Sequence, residues 1–126
     1  MLARPFNHIG ALQSDRFAVS DFARQIARIA SGRQPPSIRV GDLDVTRDFT
    51  DVRDVVQAYF ALLERGVAGE IYNVCSGVEN SLSSILRELM QIAGVDARIE
   101  AQSERMVTVL VAVLIAEIVS VPAAAT

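Results

Sequence analysis

The chain has 126 residues, of which 51% are hydrophobic and 21% charged, which is the composition of one small globular domain and not of a disordered segment. Its formal net charge of -3 offers no basic surface, so we expect no nucleic-acid partner. All 12 basic residues are arginine. The sequence therefore excludes a lysine Schiff base, a phosphate-loop lysine and a Tyr-x-x-x-Lys pair.

Cysteine content and hydropathy indicate where the protein works. Cys75 is the only cysteine, which excludes an internal disulfide and a cysteine-rich zinc site. Its apolar neighbours predict a buried, inert thiol, and a free thiol favours a reducing, cytoplasmic location. The first residues lack the apolar core of a signal peptide. The apolar stretch 107–121 is shorter than the ~20 residues of a membrane span, so we expect no membrane partner.

The first elements in chain order are an extended segment and a helix. Residues 2–9 are short and apolar and predict extended chain, and residues 10–14 predict a loop. Ser20 or Asp21 is the expected N-cap of a helix that runs to Ser31. The buried face of this helix should carry Phe22, Ile26 and Ile29.

Two strands and a long helix follow. Residues 37–40 and 45–49 predict two short strands separated by a turn. Thr50 or Asp51 should cap the helix, which Gly66 closes. The buried stripe expected on this helix consists of Val52, Val55, Val56, Tyr59, Phe60 and Leu63.

A strand, a helix and another strand complete the predicted pattern. Residues 70–75 are a nearly continuous apolar run, typical of a strand buried on both faces. Ser81 should cap a helix that Gly94 stops, and residues 95–100 predict a last strand. The inward positions of that helix are Leu82, Ile85, Leu86, Leu89 and Ile92. This alternation predicts an α/β fold with three main helices and short strands.

A first candidate site lies in residues 4–10, Arg-Pro-Phe-Asn-His-Ile-Gly. Ligands bind at strand ends in open α/β sheets, and Asn7 can donate to and accept from a diphosphate or a sugar hydroxyl. A turn-capping asparagine explains the same residue equally well. His8 is the only histidine, and a single loop histidine is more often structural than catalytic or metal-binding.

A second candidate site centres on Arg47, shortly before the long helix. A guanidinium there offers a fork for phosphate oxygens, which helix amides would reinforce. A surface ion pair with Asp48 or Asp51 is the alternative, and spacing alone slightly favours it.

Three ordered motifs resemble the C-terminal half of NAD(P)-dependent sugar-nucleotide epimerases/dehydratases, which are extended short-chain dehydrogenases/reductases. They are residues 4–10, residues 41–56 (Gly-Asp-Leu-Asp-Val-Thr-Arg-Asp-Phe-Thr-Asp-Val-Arg-Asp-Val-Val) and residues 70–77 (Glu-Ile-Tyr-Asn-Val-Cys-Ser-Gly). The sequence is most similar to the branch of GDP-mannose 4,6-dehydratases and GDP-6-deoxy-mannose reductases. On this resemblance, residues 1–106 are a sugar-nucleotide-binding part and residues 107–126 a divergent apolar tail.

The resemblance implies a Rossmann-type fold. It also implies that the chain is a fragment of an NADP- or NAD-dependent dehydratase or reductase, and that this fragment contributes the pocket for a GDP-sugar or related nucleotide sugar. Asn7 would bind the diphosphate, and Arg47 would reach the diphosphate or the ribose. The residues implied beside the cofactor are Pro5, Phe6 and His8. The nucleoside pocket would be lined by Phe17, Val19, Val40, Gly41 and Asp42. Asp51 and Asp54 would be capping and helix-dipole residues.

The sequence departs from the family pattern in ways that bear on activity. The family's glycine-rich dinucleotide loop and its Tyr-x-x-x-Lys base precede the matched region and are absent here, so we expect no turnover by this chain alone. Val107 and Leu110 stand where the family has a second phosphate arginine and a nucleoside acid. Because an apolar side chain cannot offset diphosphate charge, binding should be weak, with Arg105 a candidate substitute.

Three interpretations stay open at this point. The chain is a truncated or degenerate family member that keeps a nucleotide-sugar pocket. It is instead a non-catalytic binding module, which could complement a separate N-terminal chain. Or it has no function in isolation, because its sheet would end in an exposed apolar edge that favours association, including homo-oligomers.

Overall fold

Residues 1–102 are the part of the chain that this computed structural model describes, and strands alternate with helices along it. The helices are α1 (Ala18–Ala30), α2 (Val52–Arg65) and α3 (Leu82–Ala93). The strands are β1 (Leu2–Pro5), β2 (Asn7–Ile9), β3 (Ser37–Val40), β4 (Thr46–Asp51), β5 (Ile71–Val74), β6 (Glu79–Ser81) and β7 (Arg98–Ala101). The α/β class with three helices and short strands is confirmed. The predicted apolar tail at 107–121 lies outside the described residues.

The strands form three small sheets. β1 pairs with β5, β2 with β4 and β3 with β7, all in parallel, and β6 adds antiparallel to β4. The sequence did not predict β6. Because Phe6 separates β1 from β2, the chain passes from one sheet to the next at this residue.

The core lies between α1, α3 and β3. Its buried side chains are Phe22, Ile26, Ile38, Val40, Leu82 and Leu86. The predicted inner face of α1 is confirmed, since Ile29 also packs against this cluster. In α3, Leu82 and Leu86 are buried as predicted, but Ile92 is 76% exposed, so the packed stripe ends before the last turn.

Local capping signals fix the ends of two helices. The Ser84 N–H donates to Ser81 Oγ at 3.0 Å, and Gly94 ends α3 with a φ of 61°, as the sequence predicted. The Arg53 N–H donates to Asp51 Oδ1 at 2.8 Å and caps α2.

The predicted N-cap of α1 is wrong, because the helix begins at Ala18 with Phe17 as its N-cap. Neither side chain that we expected to cap it is available at the helix end. The Ser20 hydroxyl donates to Gln13 Oε1, and the buried Asp21 carboxylate accepts from Arg24 and Gln25. The helix therefore starts without a side-chain cap.

The predicted buried stripe of α2 is largely wrong. Val55 alone is buried, whereas Phe60 is 63% and Leu63 73% exposed. Within residues 1–102, α2 packs mainly on β2 and β4, and this contact leaves the rest of its apolar face uncovered. We call the exposed residues Val52, Val56, Tyr59, Phe60 and Leu63 the α2 stripe.

The prediction that residues 70–75 form a strand buried on both faces is also wrong. In β5, Tyr72 and Val74 are half-buried, while Ile71 and Asn73 are exposed on the other face. Cys75 is exposed as well, which corrects the prediction of a buried thiol. The reason is that β5 has one neighbouring strand, β1, among the described residues, and no layer covers its outer face.

No helix within the described range 1–102 is long and apolar enough to cross a bilayer. The same range contains no group of three or more side chains arranged to hold a metal ion.

Candidate functional site

A cavity of about 420 Å³ opens where β2, β4 and the beginning of α1 meet. Seven of the residues that the sequence singled out line it: Pro5, Phe6, Asn7, His8, Phe17, Val19 and Arg47. The other lining residues are Ile9, Gln13, Ala18, Phe49 and Leu82.

Strand register explains why Asn7 and Arg47 share this cavity. β2 and β4 run parallel, and Asn7 lies opposite Phe49. Arg47 precedes Phe49 by two positions, and alternate side chains of a strand point to the same face. The ladder therefore directs the Asn7 amide, the Phe49 ring and the Arg47 guanidinium into one space.

Arg47 forms no ion pair with any residue in the described part of the chain. Its Nη1 donates to the Thr46 carbonyl oxygen at 2.8 Å. Both predicted acidic partners bind elsewhere: Asp51 accepts from Arg53, and Asp48 accepts from Ser76 and Gly77. The guanidinium thus keeps its charge and most of its donors for another acceptor.

Asp51 belongs to the start of α2 and not to the cavity. The Arg53 side chain, which donates at 2.9 Å, and then the Arg53 N–H lower the pKa of the Asp51 carboxyl to about 2. The lining residues include none from α2, so the expected help of its amides to Arg47 is not present.

The helix end at the cavity belongs to α1. Phe17, Ala18 and Val19 line the cavity, and the N-cap provides no side-chain acceptor. The first N–H groups of an α-helix have no acceptor within the helix, and they carry the positive end of its dipole. This end therefore presents uncapped amides on the same side of the cavity as Phe17.

Gln13 holds the loop between β2 and α1 in place, a role that was not predicted from the sequence. Its Nε2 donates to the His8 carbonyl oxygen at 3.1 Å, and its Oε1 accepts from the Ser20 hydroxyl at 3.1 Å. An amide between a strand end and a helix start is the signal that could have identified it. His8 Nδ1 lies 3.1 Å from the Phe6 carbonyl oxygen, a short-range turn contact.

Val40, Gly41 and Asp42 do not line the cavity. Val40 is 1% exposed because it points into the core beside Ile38, and a side chain so buried has no surface to offer a ligand. Asp42 Oδ1 accepts from the Asp44 N–H at 2.9 Å in the loop after β3. The structure therefore does not bring this part of the predicted nucleoside pocket to the other site residues.

The lining has the chemistry of a site for an anion attached to a ring. It combines one guanidinium, two carboxamides and three phenyl rings, and it contains no carboxylate. A second cavity of about 410 Å³ lies between α2 and β5, where Arg65 and Asn73 are among the lining residues. No helix N-terminus is among the described residues that line the second cavity, so we take the first cavity as the candidate site.

Parallel strand pairs, α/β alternation and a cavity at a strand junction are the features expected of part of a Rossmann-type α/β fold. The NAD dependent epimerase/dehydratase family matches residues 1–75, and the chain belongs to this family. The family resemblance of the three motifs is thereby confirmed.

Known relatives agree with this assignment. The chain is 49% identical over 106 residues to a GDP-6-deoxy-D-mannose reductase of Pseudomonas aeruginosa, covering 84% of this chain and 35% of the relative. It is 28% identical over 92 residues to a GDP-6-deoxy-D-talose 4-dehydrogenase of Aggregatibacter actinomycetemcomitans, covering 73% of this chain and 30% of the relative.

The fold agrees with a solved structure, that of RMD from Pseudomonas aeruginosa complexed with NADPH. The TM-score is 0.79 at 50% identity, over 80% of this chain and 34% of that one. The chain thus spans about a third of the length of the relatives that it matches.

Proposed function

We propose that the chain is the nucleotide-sugar-binding part of an NAD(P)-dependent sugar-nucleotide reductase or dehydratase that acts on GDP-sugars. Residues 1–106 would form this part, and residues 107–126 a divergent tail. The observation that carries the proposal is the meeting of Asn7, Arg47 and the N-terminus of α1 at one cavity. The GDP-sugar activities named for the two relatives support the choice of ligand.

A diphosphate matches the polar part of the lining. Its charge would sit between the Arg47 guanidinium and the uncapped amides of α1, and charge-assisted hydrogen bonds of this kind are about twice as strong as neutral ones. The Asn7 amide would donate to a remaining phosphate or sugar oxygen. Phe17, which lines the cavity and is 57% exposed, would offer the apolar face of its ring to the nucleoside.

The fit to a dinucleotide cofactor is partial. Pro5, Phe6 and His8 line the wall of the cavity at the β1–β2 junction, where the nicotinamide of NADP or NAD would lie. The chain has no glycine-rich phosphate turn and no Tyr-x-x-x-Lys pair. Cofactor phosphates and proton transfer would therefore depend on a dinucleotide-binding part outside this sequence. The bound cofactor would supply the hydride, while residues of this chain orient the sugar.

The uncovered apolar surface suits such a dinucleotide-binding part. The α2 stripe faces solvent, and the outer face of the β1–β5 sheet leaves Leu2 and Ile71 about half exposed. Parallel sheets are normally covered on both faces. We infer that an N-terminal complementing part packs here, and that the surface supports homo-oligomers when that part is absent. The exposed thiol of Cys75 is compatible with a reducing, cytoplasmic location.

Calorimetric titration tests the pocket. We expect the chain to bind GDP more tightly than guanosine, and Arg47→Ala to weaken GDP binding about tenfold or more, because a hydrogen bond to a charged group contributes about 1.5–3 kcal/mol. Arg33→Ala is the matched control, since Arg33 follows the far end of α1, about 20 Å from its N-terminus. Equal binding of GDP and unrelated anions would contradict the proposal.

A turnover assay tests whether catalysis by this chain requires a separate dinucleotide-binding part. The purified chain with NADPH and GDP-4-keto-6-deoxymannose should show no oxidation of cofactor. Adding the separately produced dinucleotide-binding part of the Pseudomonas aeruginosa relative should restore measurable turnover if the two parts associate. Turnover by the chain alone would contradict the proposal, and binding without restored turnover would favour a non-catalytic binding module.

A further inference from the structure

The Asp48 carboxylate holds a turn that is remote from it in the sequence. Its Oδ1 accepts from the Ser76 N–H at 3.0 Å and the Ser76 hydroxyl at 2.7 Å, and its Oδ2 accepts from the Gly77 N–H at 2.7 Å. The Thr50 hydroxyl lies 3.5 Å from Oδ1. These donors stabilise the anion, so the backbone and then the side chain of Ser76 lower the pKa of Asp48.

Asp48 stands between two cavity residues on the same strand. Arg47 and Phe49 line the cavity, whereas Asp48 bonds to the turn that follows β5. β5 in turn pairs with β1, with Pro5 opposite Val74. The end of β1 and the residue after it, Pro5 and Phe6, form another part of the cavity lining.

Asp48 therefore connects two parts of the cavity that belong to different sheets. The β1–β5 sheet and the β2–β4–β6 sheet share no strand pairing within residues 1–102. The chain joins them at Phe6, whose N–H donates to the Val74 carbonyl oxygen at 2.9 Å, and again at residues 75–78, which link β5 to β6. The hydrogen bonds that Asp48 accepts from Ser76 and Gly77 fasten the second of these links to β4.

We propose that Asp48 is a positioning residue, which holds β4 on the turn after β5 so that Arg47, the residue that binds the diphosphate, faces the same cavity as the Pro5–Phe6 wall. This inference rests on the proposed function. In this role Asp48 acts through β4 and does not itself contact the ligand. Asparagine at position 48 would keep the shape but lose the charge and one acceptor oxygen, so a backbone N–H of the turn would lose its partner.

A double-mutant cycle in GDP affinity tests the inference. We expect Asp48→Asn to weaken GDP binding about tenfold, the order of one charge-assisted hydrogen bond. Asp48→Asn combined with Arg47→Ala should bind GDP no more weakly than Arg47→Ala alone, because coupled residues give non-additive effects. Guanosine, which has no phosphate, should bind the Asp48→Asn variant as it binds the wild type.

Control variants distinguish the positioning effect of Asp48 on GDP affinity from a change of net charge and from a loss of folding. Asp54→Asn makes the same change of net charge in the first turn of α2 and should leave GDP affinity unchanged. Ser76→Ala removes one donor and leaves the carboxylate in place, so a smaller loss, about two- to threefold, is expected. If Asp48→Asn does not fold, the same cycle is measured with Ser76→Ala.

The outcomes distinguish this inference from the proposed function. If Arg47→Ala weakens GDP binding and Asp48→Asn does not, the inference is overturned and the proposed function stands. Equal weakening by Asp48→Asn with and without Arg47 also overturns it, because Asp48 would then act independently of the guanidinium. If the wild type does not prefer GDP to guanosine, the proposed function fails and the inference fails with it.

Discussion

Asn7 lies directly opposite Phe49 in the parallel β2–β4 ladder, and this register brings Arg47 to the cavity that Asn7 lines. The shared ligand site depends on this pairing, since the two polar side chains come from segments far apart in the chain. A shift of one residue in the register would turn Arg47 to the opposite face of the sheet.

The core between α1 and α3 should dominate stability. Leu86 is fully buried, and we expect Leu86→Ala to lower the free energy of unfolding by about 2–5 kcal/mol, through lost burial and the cavity left behind. Ile92→Ala is the matched control near the end of the same helix, where the side chain is 76% exposed, and its effect should be within about 0.5 kcal/mol. Urea unfolding monitored by circular dichroism measures both, and similar values would contradict the burial pattern.

The cap of α2 predicts an acid-sensitive contribution to stability. Arg53 lowers the pKa of Asp51 from 3.8 to about 2, so the unfolded state binds more protons than the folded state between these pH values. The stabilisation is present above pH 4 and is lost as the pH falls towards 2. The difference in melting temperature between wild type and Asp51→Asn should therefore shrink across this window.

Asp54→Asn controls for the loss of one negative charge in the same helical turn. A difference between wild type and Asp51→Asn that stays constant from pH 5 to pH 2 would show that the Arg53 contact does not act on the folded state.

Cys75 should react in the native protein. The thiol is exposed, so a chromogenic disulfide reagent should modify it without denaturant and at a rate close to that of the unfolded chain. Cys75→Ser provides the blank. Reaction only after urea is added would restore the earlier expectation of a buried thiol and contradict the described environment of β5.

Local signals were sufficient to predict much of the fold. Asp51 and Ser81 cap helices through short-range hydrogen bonds that a sequence pattern reveals, and the inner face of α1 follows from its apolar spacing. The buried stripe of α2 and the buried strand at 70–75 were wrong for one physical reason. Hydrophobic spacing shows which side chains form an apolar face. It does not show whether the residues that bury this face belong to the same chain.

The sequence predicted the arrangement of the site residues less well than it predicted the fold. Asn7 and Arg47 were candidates from their chemistry, yet their meeting depends on the β2–β4 register, which no local pattern fixes. The role of Gln13 depends on Ser20, which lies on the following helix. Val40 was placed in the nucleoside pocket by resemblance, but its side chain belongs to the core.

The most direct test of the shared ligand is a magnetic resonance titration of the isotope-labelled chain with GDP. The side-chain amide of Asn7 and the Nε–H of Arg47 should shift together and yield the same dissociation constant, while the Nε–H of Arg33 stays unchanged. Shifts confined to the cavity that Arg65 and Asn73 line, with Asn7 and Arg47 unmoved, would contradict the account.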